Sequence, residues 1–368
     1  MNEDGKLLRC YRNKLIVVGL LVILLVALQV LFFDHSLLTT YYGQYVFRPF
    51  QQLRNRLMNL LPFSLGDVLY FVGIIGVAIL LGKWVYYLIK IKTNYHSFVI
   101  SIMRTLSCIG ILYMLFFAGW GGNYYKPTLS RYWALPLDSN GMSDSSLYQF
   151  DSFLIQQLNK YVSQQNTYSL TTINHRAQQY YKMYLPQGIP IPYTKPSLLG
   201  NSLQYAGIQG YYNPFTGEAQ VNKHLPSFLL PFVVCHEMAH QQGIAAEDDA
   251  NLLAYAVSTS CTDTAFRYAA YFNVWLYTHR KLRRKDSLLA NQLKTALNPI
   301  TIAHVDTLKR LREQYSSAIG DYSSDVYDEY LKLHQQREGI HSYTKVGYTA
   351  WALEEQRKKW KNFPLKIP

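Results

Sequence analysis

Apolar residues are distributed unevenly along this chain: three long apolar stretches fall within the first 120 positions and none follows them. The first, Leu15 to Phe33, carries no charge. The second begins at Val68, and the third runs from Phe98 to Gly119 with only Arg104 interrupting it. A bilayer-crossing helix needs ~20 mostly apolar residues, and a lysine near a helix end, such as Lys83, can extend its ammonium to the headgroups. The pattern therefore predicts three transmembrane helices, at about 15–33, 66–89 and 98–119. The first stretch exceeds the roughly 7–15 apolar residues of a signal-peptide core and lacks a small-x-small cleavage site, so it reads as a retained anchor.

Beyond Trp120 the texture becomes amphipathic. Residues 121–145 hold Pro and Ser and an Asn140-Gly141 turn signal, and read as a linker. Apolar positions three and four apart predict helix from about 146 to 184. LPQGIPIPYTKPSLLG is extended or looped, and YAGIQGYYNPFTGEAQVN, with its glycines and aromatics, reads as one or two strands. Helix resumes at Pro231, a residue suited to a first turn. A second, longer helix spans Asp248 to about Arg284, and further helices follow, broken near Asn298-Pro299 and Gly320. The expected fold is mainly α (α+β): three N-terminal transmembrane helices, then residues 146–368 as a helical domain with a small β-sheet.

The charge of +13 divides almost equally along the chain. Residues 1–120 carry 11 Lys/Arg against 4 Asp/Glu, and residues 121–368 carry 25 against 19. Half the excess thus flanks the apolar stretches, where basic side chains meet anionic lipid. No recognised nucleic-acid-binding fold accompanies the basic clusters, so nucleic acid is not an expected partner. Lys6, Arg9, Arg12 and Lys14 precede the first span, and Lys83, Lys90, Lys92 and Arg104 surround the second turn. This bias places the N-terminus in the cytoplasm and the C-terminal domain outside it. Of four cysteines, only Cys235 and Cys261 lie in the outer domain, and helix geometry separates them too far for a disulfide.

The chemistry concentrates in HEMAHQQGIAAEDDAN, residues 236–251. His236 and His240 stand one helical turn apart on one face, with Glu237 beside them. This HExxH spacing lets two imidazoles converge on one Zn²⁺ while the glutamate works on water. Glu237 is the expected base, returning its proton to a leaving nitrogen. A catalytic zinc keeps three protein ligands and an open position. Gly243 can end the first helix, so a helix starting near Ala246 would present Glu247 as the third ligand. Asp248 and Asp249 are the alternatives if the turn differs by one residue. Glu218, Ala219, Gln220, Val221 and Asn222 could form an edge strand that a peptide joins, or an ordinary sheet strand.

Glu247 to Asn251 resembles the glutamate-ligand helix of the gluzincin metallopeptidases. The resemblance implies Glu247 as ligand, Ala250 as a close helix contact and Asn251, where many relatives have Asp, orienting His236. The chain as a whole is similar to a bacterial membrane family catalogued as domain of unknown function 3810. The shared features are the N-terminal spans, residues 211–222, residues 236–247 and an SYTKV segment at 342–346. Gluzincins usually add a downstream His or Tyr that stabilises an oxyanion. Here the candidates are His304, His334, His341, Tyr343 and Tyr348, with Tyr343 preferred because it lies in SYTKV.

Together these readings give the expected function: a multi-pass protein of a bacterial cytoplasmic membrane that binds one Zn²⁺ and hydrolyses a peptide or protein. The rival is a non-catalytic envelope assembly or binding protein whose metal is a staple held by four protein ligands. A transporter is a third reading, for which three spans and one border arginine make a poor pathway.

Overall fold

The computed structural model describes residues 3–32, 36–138, 141–163, 168–185, 189–316, 329, 345–360 and 366–367. The chain is mainly helical and divides into two compact units. One comprises Met1–Gln51, Leu65–Lys126 and Pro214–Thr216, the other Gln52–Ser64, Pro127–Asn213 and Gly217–Pro368.

The first unit holds α1 (Glu3–Phe32), the short α2 (Ser36–Tyr41), the start of α3 (Arg48–Met58), α4 (Leu65–Ile89) and α5 (Ile91–Gly119). Three of these, at Arg9–Phe32, Leu65–Ile89 and Ile91–Gly119, are long and apolar enough to cross a membrane. The third is longer than the expected 98–119, because KTNYHS adds polar turns ahead of the apolar run. α1 and α4 both pack on α5. Gly110 makes one approach possible: a Cβ there would stand 3.2 Å from Leu21 Cδ1. Gln29 bonds Tyr113 across α1 and α5 at 3.0 Å, and Trp84 bonds Ser101 across α4 and α5 at 3.0 Å. Most apolar side chains of the three helices face outward, as a lipid solvent would favour.

The second unit is built from α6 (Leu129–Tyr132), α7 (Asp144–Tyr161), α8 (Leu170–Lys182), α9 (Ser202–Tyr205), α10 (Leu230–Gln241), α11 (Glu247–Ser260), α12 (Thr264–Lys285), α13 (Ser287–Lys294), α14 (Pro299–Tyr315) and a C-terminal helix, Val346–Lys359. Its sheet has three short strands, β1 (Thr194–Pro196), β2 (Gly210–Tyr212) and β3 (Ala219–Val221), in the order β1-β3-β2. β3 runs parallel to β1 and antiparallel to β2, with Tyr211 opposite Gln220. α12 lies along α7, while α10 occupies the centre, against α8, α11, α12 and all three strands.

Several boundaries differ from the sequence reading. Helix 146–184 is two helices, because Ser169 caps α8 by accepting the Thr172 N–H. Helix 248–284 breaks at Cys261, because Asp263 caps α12 through the Ala265 N–H. Such caps satisfy backbone donors that no preceding turn can reach. Within the stretch expected as a linker, Leu129, Trp133, Leu135 and Met142 enter the core, and the Trp133 indole N–H donates to the Lys366 carbonyl. Cys235 and Cys261 form no disulfide, as expected.

The stretch Gln52–Ser64 belongs to this second unit although it precedes α4. Lys195 explains why. Its buried ammonium donates to the Met58 carbonyl at 2.7 Å, the Phe63 carbonyl at 3.0 Å and Glu218 Oε1 at 2.8 Å. Gln220 bonds Ser64 at 2.8 Å beside it. Three acceptors satisfy all three ammonium donors, which is what a buried lysine needs.

Candidate metal centre

α10 ends by a mechanism that also prepares a ligand. Gly243 adopts φ +80, which a glycine accommodates without steric cost. The Gly243 N–H then donates to the His240 carbonyl at 2.9 Å and the Ile244 N–H to the Ala239 carbonyl at 3.3 Å. These are the paired bonds of a glycine-terminated helix. The turn carries the Ile244 carbonyl to 2.7 Å from His240 Nδ1. A carbonyl oxygen only accepts, so Nδ1 holds the proton. Nε2, which faces Glu247, is therefore the atom that a metal ion would take in place of a proton.

α11 then starts at Glu247, whose carboxylate sits in the first turn where the helix dipole favours negative charge. Its Oε2 lies 3.1 Å from His236 Nε2 and its Oε1 3.6 Å from His240 Nε2. The two imidazoles meet edge-on with centroids 4.8 Å apart. All three ligand atoms fall within 4.8 Å of one another. A tetrahedral ion at about 2.0–2.2 Å from its ligands spaces them about 3.3–3.6 Å apart, so the cluster could hold a metal ion after its ligand atoms draw slightly together. Among the described residues this is the one His/Cys/Asp/Glu group of that kind, and it has three members.

The alternatives to Glu247 are engaged elsewhere. Asp249 accepts the backbone N–H groups of Leu129 and Ser130, and Asp248 faces Lys345. Burial raises both carboxyls above the usual range, most of all Asp249.

The electrostatics of the cluster follow from its burial. Burial alone would lower the His240 pKa, but the Glu247 charge and contact outweigh it and lift it to about 9. Burial likewise opposes ionisation of Glu247, yet the two imidazoles hold it well below the usual range. Glu237 is pushed up to about 7, first by burial and then by Glu247, with the two histidines acting against that rise. Its Oε2 is buried without a hydrogen-bond partner, as is His236 Nδ1. Buried polar atoms left without a partner call for an explanation, and at this cluster a bound species would supply one.

Asn251 is buried on α11, but the expected bond to His236 is not formed: His236 Nδ1 and Asn251 Nδ2 are each without a partner. Residues 218–222 require a larger correction. Ala219–Val221 is the central strand, so neither edge is open to an added peptide. The Glu218 carboxylate binds Lys195, Gln220 binds Ser64, and Asn222 Oδ1 accepts the His224 N–H at 3.0 Å. Ala219 and Val221 are wholly buried. The GEAQVN pattern reads as edge or centre alike, because pairing on both sides depends on strands from elsewhere. Tyr343, His341 and His334 lie outside the described residues. His304 bonds Tyr268 and stacks on Phe228 at 3.9 Å, and the Tyr348 hydroxyl donates to the Asp138 carbonyl.

Three neighbours escaped the sequence reading. Gly210 packs its backbone on Glu237, where a Cβ would lie 2.5 Å from Oε1. Two residues along β2, on the same strand face, the Tyr212 ring sits 6.4 Å from that of His240. The Tyr212 hydroxyl accepts from Arg54 Nη2 at 3.2 Å. Glycine in a strand marks a close approach, which was the available signal for Gly210. Nothing local marks Arg54.

A profile for proteins of unknown function, DUF3810, matches residues 42–348. The chain belongs to this family. No curated protein and no solved structure matches it. The DUF3810 match includes Arg54, β2, α10 and α11, so every neighbour of the cluster named above lies inside the family's span.

Proposed function

We propose that this DUF3810 protein is a membrane-anchored, zinc-dependent hydrolase acting on peptide bonds. The observation that carries the reading is the convergence of His236, His240 and Glu247 with Glu237 beside them, its Oε2 buried and unpartnered. Two neutral imidazoles and one carboxylate suit zinc. The bound ion would supply Lewis acidity, activating water and polarising a carbonyl. Glu237 is positioned to accept the proton from water and hand it to the departing amine, and its raised pKa suits both transfers near neutrality. Tyr212 replaces Tyr343 as our candidate for the oxyanion donor. Burial pushes its pKa up to about 12 despite Arg54, so its hydroxyl keeps a proton to give.

Among the described residues the cluster has three ligands, not the four of a structural staple, which favours this reading. The test uses the full chain in nanodiscs, with metal content by elemental analysis and cleavage of a peptide library by mass spectrometry. Glu237→Gln is expected to retain one zinc per chain and to lose about 10²–10⁴-fold in hydrolysis. A variant as active as the parent protein overturns the reading, as does a parent protein that binds zinc and cleaves nothing in the library.

A further inference from the structure

The segment Gln52–Ser64 is folded inside out. Arg54 and Asn55 of α3 are buried, at 5% and 7% exposure, while Leu53 and Leu57 stand 53% and 50% exposed. The exposed run continues through Leu60 at 79% and Phe63 at 39%. Positions 53 and 57 lie 40° apart on α3 at 100° per residue, and Leu60 follows in the turn after the helix. A surface helix in water shows the opposite arrangement, with its apolar stripe inward. The polar inner face is accounted for by the Arg54 bond to Tyr212. The apolar outer face is not accounted for by water.

We propose that this face is immersed in the bilayer interface, so that Gln52–Phe63 is a membrane-docking element of the second unit. Chain continuity argues for lipid as its occupant. α4 starts at Leu65, one residue after Ser64, and is one of the three apolar helices able to cross a membrane. Phe63 is thus held within about 7 Å of the first residue of that helix. Arg56, exposed beside the stripe, is placed as an interfacial cation facing lipid phosphate. An amphipathic helix of this kind buries its apolar side ~5–10 Å into the headgroup boundary. Because the opposite side of the same helix contacts Tyr212, about one helix diameter, ~10–12 Å, separates Tyr212 from the lipid. If the hydrolase reading holds, the bond it cleaves lies close to the membrane surface, in a substrate tethered there.

Spin labelling tests the docking without reference to metal or activity, so its failure is distinct from failure of the hydrolase reading. In the full chain carrying Cys10→Ser and Cys108→Ser, single replacements Leu53→Cys, Leu57→Cys and Leu60→Cys receive a nitroxide in single-copy nanodiscs of anionic lipid. Leu288→Cys, at a position 77% exposed on α13, is the aqueous reference. The expected result is that labels at 53, 57 and 60 collide more with oxygen than with a water-soluble nickel chelate, and the label at 288 the reverse. Labels at all three positions that meet the nickel chelate as freely as the label at 288 overturn the proposal. So do labels shielded from both reagents, which would mean a protein surface covers the stripe.

Discussion

Gly210 lies so close to Glu237 that a β-carbon at position 210 would stand 2.5 Å from Oε1 and 2.8 Å from the Gln220 carbonyl. The strand and the helix are therefore fitted to each other through a missing side chain. Gly210→Ala must push the carboxylate aside, since the other contact is backbone. The expected outcome is full zinc content with hydrolysis reduced about 10²-fold, the cost of an ångström-scale misplacement. Elemental analysis beside peptide cleavage checks it, and unchanged cleavage would mean Glu237 has slack that the packing does not reveal.

Tyr212→Phe removes the proposed oxyanion donor while keeping the ring beside His240. Loss of one such donor costs about 10²–10³-fold in kcat. The expected pattern is that fall in kcat with KM and zinc content unchanged. A rise in KM at constant kcat would instead assign Tyr212 to substrate binding.

Lys195 and Glu218 form an ion pair whose side chains are 6% and 3% exposed. Lys195→Met leaves Glu218 as a buried, uncompensated charge, and removing one partner of such a pair costs about 3–5 kcal/mol. Thermal unfolding should show this loss for the single variant and a smaller one for Lys195→Met with Glu218→Gln. If the double variant is no more stable than the single, the stability resides in the two carbonyl contacts that Lys195 makes to Met58 and Phe63.

Asp151 carries the pH prediction. Its carboxyl is fully buried where α7 meets α12, and burial raises its pKa, partly offset by the bond and charge of His279 at 3.1 Å. A carboxyl with a raised folded value binds its proton more tightly in the folded chain. Its contribution to stability therefore falls as pH rises from the unfolded value, about 3.9, through the folded one. Asp151→Asn abolishes that fall and leaves an amide oxygen for His279. The melting temperature of the variant, relative to the parent protein, should thus rise between pH 4 and pH 7. A difference that stays flat across this interval would contradict the raised value.

What the chain reveals without coordinates is what short range controls. The histidines at i and i+4, the glycine that stops their helix and the acid that opens the next one all lie within twelve residues, so helical periodicity and one positive φ bring them together. The three apolar spans are legible for a similar reason, because solvent preference is summed locally over each helix. Missed helix breaks at Ser169 and Asp263 involve caps that look like ordinary polar residues until the preceding turn is seen to end.

Tertiary structure alone decided the rest. β3 became central because β1 and β2 claim its two sides, a matter of pairing partners and not of its own alternation. Gly210, Tyr212 and Arg54 reach the surroundings of α10 from 30, 28 and 186 positions before His240. No propensity links positions so distant; they meet because Lys195 fastens the segment ahead of α4 to the sheet and the sheet packs on α10.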